Sequence, residues 1–261
     1  MLWMLIFVGW ANAVEVVQPG LSTYESPDST PPSFTLPEQM ASGTGPHAKM
    51  CEAAYRGALG TPKHGALSID ISKVVDEARA HRFPANAEVA LRKALGWVRD
   101  NPTKISEQRY VAVADYELPG NRKRFYVVDT QTGAFQTFYV GQGSGTHVKG
   151  DPSRSHCDKP PERWTSSKPY SHFSNKPDSC LSATGCVLVA PQIQTTKYWK
   201  KYTRVFGLES TNDNDCARDI LLHNDPRKSF PGDSSGCFAL RRRDSRRVLS
   251  MLAGGVICTN P

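Results

Sequence analysis

A mainly β domain preceded by a helical segment, α+β overall, is the fold that the residue pattern of this 261-residue chain predicts. Three observations carry the prediction. Between Ala48 and Asp100 the apolar residues recur at helical spacing. After Asn101 the period shortens to the alternation of strands, in YVAVADYEL and then in RFYVVDTQTGAFQTFYVG. The second run is broken by Thr130, Gln131, Thr132 and Gly133, a hairpin signal.

Taken in order, residues 1–13 are a short apolar run closing on Ala11, Asn12 and Ala13, which reads as a signal peptide without a basic start. No other stretch is apolar enough to span a membrane. A mature chain beginning near Val14 is expected in the periplasm or cell-wall space. Residues 14–47 turn to Pro, Ser, Thr and Gly and read as a linker. Residues 48–104 form a helical extension. Its clearest helix is expected to be capped by Asn86, with Ala87, Ala90, Leu91, Ala94, Leu95 and Val98 on the face that packs against the β-rich domain. A second amphipathic piece runs from Ile71 to Arg82, with His81 at its end as a surface or capping histidine.

The β-rich domain covers 105–261. Beyond the hairpin, strands are expected over Cys186 to Ala190, Tyr202 to Leu208, Ile220 to His223 and Val256 to Cys258. Asp244 is expected to cap a short helix carrying Val248, Leu249 and Leu252, which Gly254 and Gly255 end. Gly145 to Lys176 is a long polar loop, so it is either functional or tied down. It holds His147, His156 and Cys157, whose spacing fits no standard zinc site; neither metal nor cofactor is expected.

The formal charge of +7 is retained in the mature chain because residues 1–13 carry none. Such a balance favours anionic polymers or surfaces. Much of it sits at Arg241, Arg242, Arg243, Arg246 and Arg247, read as solvated arginines at a helix start, and no nucleic-acid partner is expected. Seven cysteines (Cys51, Cys157, Cys180, Cys186, Cys216, Cys237 and Cys258) suit an oxidising compartment. Six can pair, in about fifteen ways, and one thiol is left over.

The stretch from Ile220 to Arg243 gathers His223, a Pro/Gly/Asp/Ser loop and Cys237 directly after glycine. A nucleophilic cysteine must lose its proton to attack a carbonyl, and an imidazole such as His223 can accept it. Gly236 lets backbone amides approach a developing oxyanion. Alternatively, Cys237 is half of a disulfide and His223 a satisfied strand-end histidine.

The ordered motifs resemble the murein L,D-transpeptidase (YkuD-like) family, in its secreted branch with a helical N-terminal extension, over most of residues 50 to 258. They are Ala114, Asp115, Tyr116 before a basic hairpin (Arg124 through Asp129); Gly143, Ser144, Gly145; Phe173, Ser174, Asn175; Ser182 and Gly185; and His223 with Ser234, Ser235, Gly236, Cys237. The resemblance implies an L,D-transpeptidase-type β-sandwich as the catalytic domain of 105–261. It maps the nucleophile to Cys237, the base to His223 and the oxyanion hole to the backbone of Ser235, Gly236 and Cys237. It also places Ser144, Gly145, Ser174, Asn175 and Ser182 along the cleft, although Ser and Asn at such positions equally serve turns.

Family members cleave peptidoglycan stem peptides between residues three and four through a thioester, then form a 3-3 cross-link with an amine or a tripeptide with water. Stem peptides are therefore the expected partner. An L,D-carboxypeptidase and a non-catalytic wall-binding module are the alternatives. Three positions depart from the family pattern: Ser235 stands where the broad family has a second histidine, Asn224 where glycine is usual, and Val140 where the branch often has histidine.

Overall fold

The structure is a computed structural model that describes residues 46–63, 65–143, 173–177, 179–197, 200–225 and 234–260. The expected signal peptide lies outside these residues, as do nearly all of the linker, His147, His156 and Cys157.

Among the described residues, eight strands form one sheet in the order β3-β2-β1-β8-β4-β5-β6-β7. They are β1 (Tyr110–Asp115), β2 (Phe125–Asp129), β3 (Phe135–Phe138), β4 (Cys186–Val189), β5 (Tyr202–Gly207), β6 (Leu221–Asp225), β7 (Phe238–Arg241) and β8 (Val256–Asn260). The β2–β3 hairpin turns at the expected place, pairing Val128 with Phe135. β1 lies parallel to β8, and β6 parallel to β7. The outermost strands also meet. Val140, just past β3, bridges Leu240 of β7, and Gly141 N–H donates to Ala239 O at 2.7 Å. The two layers of the expected sandwich are thus two halves of one curled sheet, whose closure removes much of its free edge.

Period-2 alternation divides the buried residues between the two faces. Val111, Val113, Cys186, Leu188, Phe206, Val256 and Cys258 join the N-terminal helices in one cluster. Ala112, Ala114, Val187, Val189, Val205, Leu222, Phe238, Leu240 and Ile257 form the other, with Val248, Leu249 and Leu252 of the C-terminal helix.

The helices are α1 (Pro46–Ala58), α2 (Ile71–Ala80), α3 (Glu88–Asp100) and α4 (Arg242–Leu252). On α3 the expected stripe is buried: Ala90, Leu91, Ala94, Leu95 and Val98, with Trp97 beside them. It packs on β8 and β1. On α1, Cys51, Tyr55 and Ala58 are buried, and the Tyr55 ring meets Phe206 of β5 edge-on at 5.7 Å. His81 takes the C-cap of α2, where its amide donates to Glu77 O.

Two expected caps are corrected. A 3-10 turn, Ala85–Ala87, leads into α3 and no side chain caps it. Asn86 instead reaches the sheet, where Nδ2 donates to Glu117 Oε2 at 2.8 Å and faces Asp115. Burial of Asp115 creates a stronger demand for a donor than the start of a helix does. Asp244 sits in the first turn of α4, not at its cap, because β7 runs directly into the helix through Arg241. The carboxylate still favours the N-terminal end of the helix dipole.

Two disulfides with both ends among the described residues reinforce the frame. Cys186–Cys258 joins directly opposed residues of β4 and β8, and Cys51–Cys216 ties α1 to the loop between β5 and β6. Cys180 is also disulfide-bonded.

Leu95 is fully buried and Val89 on the same helix is 68% exposed. Leu95→Ala should therefore lower unfolding free energy by about 2–5 kcal/mol and Val89→Ala by no more than about 0.5 kcal/mol. Urea titrations followed by circular dichroism measure both.

Candidate active site

β6 and β7 bring the two chemistry-bearing residues together. In their parallel register Leu222 pairs with Phe238 and His223 with Ala239. Cys237 is therefore level with Leu221, two positions before His223, an offset of about 7 Å along the strand. Both residues are buried.

Cys237 is a free thiol. Its Sγ accepts from Leu221 N–H at 3.3 Å and lies 3.8 Å from Asp219 O. Burial pushes the thiol up to about 12, and the Leu221 amide and the nearby Arg218 charge offset only part of that. The resting thiol is protonated at neutral pH.

His223 Nδ1 lies 2.9 Å from Asn224 O. A carbonyl only accepts, so Nδ1 carries the hydrogen and Nε2 is the basic nitrogen. No hydrogen bond links His223 to Cys237 among the described residues. Asn224, one of the departures from the family pattern, also fixes the end of β6: its amide donates to Lys201 O at 3.2 Å and its Oδ1 accepts from Lys201 N at 3.0 Å.

The bend before the thiol separates two adjacent serines. Ser235 is exposed. Ser234 turns inward, its hydroxyl within 2.7 Å of Cys237 O and 3.1 Å of Gln142 O, either of which it can donate to. Gly236 has φ +105°, a conformation that glycine adopts without strain. A side chain there would meet Arg218 Nη2 at 2.7 Å and Leu181 O at 2.9 Å.

The expected cleft residues divide. Ser144 and Gly145 lie outside the described residues. Ser182 is buried and its Oγ accepts from Gly143 N–H at 2.9 Å. Gly143 in turn bridges Ser234, so Ser182 is joined to the cysteine bend through one residue. No larger residue fits at 143, where a Cβ would lie 2.5 Å from Ser182 N. Ser174 N–H donates to Ser182 O at 3.0 Å. The Asn175 amide is taken up by the loop before β6: Nδ2 donates to Ser210 O at 3.0 Å and Asp213 Oδ1 at 2.5 Å, and Oδ1 accepts from Asn214 N at 3.1 Å.

Sequence reasoning missed the charged groups beneath this surface. The Arg218 side chain is buried, with Nη1 donating to Ser174 O at 2.9 Å and Nη2 to Ser179 O at 2.9 Å and to Leu181 O. Asp215 Oδ1 lies 3.7 Å from its Nη1. Burial raises the Asp215 carboxyl to about 7, Arg218 opposes the rise, and Asp213 adds to it. Arg124, read as part of a basic hairpin, is fully buried. It donates to Val140 O, Leu118 O and Gln142 Oε1, and its guanidinium carbon sits 5.0 Å from the centre of the Tyr116 ring. Tyr116 is buried as well, and its phenol is pushed up to about 12. NDNDCARD, the sequence around Asp215 and Arg218, looks like a solvated loop. The one available signal was Cys216 within it, since a bridged cysteine draws its neighbours inward.

The family model described as the L,D-transpeptidase catalytic domain matches residues 85–259, a span that contains both His223 and Cys237. Among solved structures, the chain is similar to the L,D-transpeptidase (residues 123-326) from Xylanimonas cellulosilytica DSM 15894. The identity is 12%, the TM-score 0.31, and the likeness covers 77% of this chain and 97% of that one. No curated protein matches the chain.

Asp215 gives a pH signature. Its folded pKa is raised above the unfolded value of about 3.9, so its contribution to stability is complete below pH ~4 and is lost as pH rises through about 7. The melting temperature of Asp215→Asn relative to the unsubstituted protein should therefore rise between those limits. Calorimetry at a series of pH values checks this, and a flat difference would contradict it.

Proposed function

Because the chain belongs to the L,D-transpeptidase catalytic-domain family, whose match covers 85–259, we propose that it is an exported cysteine acyltransferase acting on peptidoglycan stem peptides. The observation that carries this reading is Cys237: it is a free thiol while Cys51, Cys180, Cys186, Cys216 and Cys258 are all bridged. The alternative reading, Cys237 as half of a disulfide, would have it paired. Disulfides also favour an oxidising compartment. Among the described residues no helix is long and apolar enough to cross a membrane.

In this reading His223 Nε2 takes the Cys237 proton as the sulfur attacks the carbonyl of the third stem residue. Since burial disfavours a standing thiolate, proton transfer and attack are coupled. The imidazole must close on the thiol when substrate binds, as catalytic hydrogen bonds commonly tighten in complexes. Amides around Gly236 hold the oxyanion; collapse breaks the C–N bond, and imidazolium protonates the departing D-amino acid. The thioester is then attacked by the amine of a second stem, which gives its proton to His223 and restores the thiol. Ser144, Gly145, Ser174 and Ser182 are proposed to line the donor path, with Asn175 bracing it through the loop before β6. Ser235, exposed beside the nucleophile, contributes its backbone to the same oxyanion hole in this reading.

Incubation with purified tetrapeptide muropeptides should yield 3-3 linked dimers, resolved by liquid chromatography and mass spectrometry. Tripeptides alone would assign an L,D-carboxypeptidase, and unchanged muropeptides a wall-binding module. Cys237→Ala should abolish conversion, and His223→Gln should lower kcat/KM by about 10²–10⁴-fold.

A further inference from the structure

Arg218 is a buried cation that the reaction scheme leaves unused. Its side chain is 1% exposed, and that of Asp215 is 3% exposed. Three carbonyls, from Ser174, Ser179 and Leu181, receive its Nη hydrogens, so it clamps residues 174–182 against the loop before β6. That loop is itself anchored to α1 by Cys51–Cys216. On the other side, Nη2 lies next to Gly236, at 2.7 Å from where a Cβ would stand. Neither Arg218 Nε nor Asp215 Oδ1 has a hydrogen bond among the described residues.

Clamping carbonyls needs donors but not a net charge, and burying a charge is costly unless another charge answers it. Asp215 answers it incompletely, at 3.7 Å and with its own ionisation opposed by burial. Among the described residues, the sulfur of Cys237 is a further group whose negative charge this guanidinium can answer. We propose that Arg218 is a positioning residue that supplies the positive charge against which the Cys237 thiolate forms, while its carbonyl bonds hold residues 174–182 as a wall of the same site. The proposal takes Cys237 as the reactive thiol from the reading above.

Among the described residues, the charged and titratable groups near the sulfur are Arg218, Asp215 and Asp219 from the loop before β6, Tyr116 beyond β1 and, two positions along β6, His223. Arg218 favours the thiolate, and Asp215 and Asp219 oppose it. The effect is mutual, since a thiolate at Cys237 also favours the charged guanidinium.

Iodoacetamide alkylation of Cys237 in the oxidised full chain, followed against pH by mass spectrometry, reads the thiolate directly and needs no substrate. Arg218→Gln should move the profile upward by about one pH unit, making alkylation about tenfold slower at a fixed pH below the midpoint. Arg218→Lys keeps the charge and should stay near the unsubstituted profile. Asp215→Asn should move it downward. A folded Arg218→Gln protein with an unchanged profile overturns the proposal, as does an Arg218→Lys protein that shifts as far as Arg218→Gln. If Arg218→Gln does not fold, Arg218→Lys decides: a profile near that of the unsubstituted protein supports the proposal, and an upward shift of about one pH unit overturns it. Muropeptide conversion is scored separately, so an inactive protein with the expected profiles sinks the transferase reading and leaves the electrostatic one standing.

Discussion

The site depends on the closure of the sheet. Gly141 N–H to Ala239 O, the Val140–Leu240 bridge and the Gly143–Ser234 bridge join the segment after β3 to β7. Those contacts carry residues 140–143 across to the bend that holds Cys237. Behind them stands Arg124, a buried guanidinium that satisfies two backbone carbonyls and Gln142 at once. A lysine would deliver a charge there but not the planar fork that reaches three acceptors. Closure, the Gln142 turn and the Ser234 contact with Cys237 O are therefore one connected arrangement.

Around the thiol, burial and polarity pull in opposite directions. Desolvation holds the sulfur in its neutral form, and the same low-dielectric setting strengthens whatever charge faces it. The imidazole is oriented by a backbone carbonyl, the cation by an ion pair and three carbonyls, and the bend by a glycine with positive φ. The cation and the bend are set by the fold before any ligand arrives, a form of electrostatic preorganisation.

Much of this was legible in the residues. The α3 stripe, the β2–β3 hairpin and most strands follow from periodicity, because each element buries one face and exposes the signal in its spacing. β7 was harder to see: it is four residues long, and it passes into α4 without a break. The Asn86 cap failed because a tertiary partner, Asp115, outcompeted a local one, and the Asp244 cap because β7 leads directly into α4. Cys237 and His223 were singled out as the proposed pair through chemistry and ordered motifs. Asp215, Arg218 and Arg124 were not, since a charged residue in a polar segment looks solvated until the packing around it is known. Ser234 was quoted only as part of a motif, and nothing in the sequence distinguishes it from Ser235, though one faces in and the other out.

The central claim is that Cys237 carries the acyl group. The direct measurement is acid-quenched reaction of the protein with a tetrapeptide stem, followed by peptide mapping without reductant. The account predicts a tripeptidyl adduct on the peptide that contains Cys237, absent after Cys237→Ala. An adduct on another residue, or Cys237 recovered wholly in a disulfide, would contradict it.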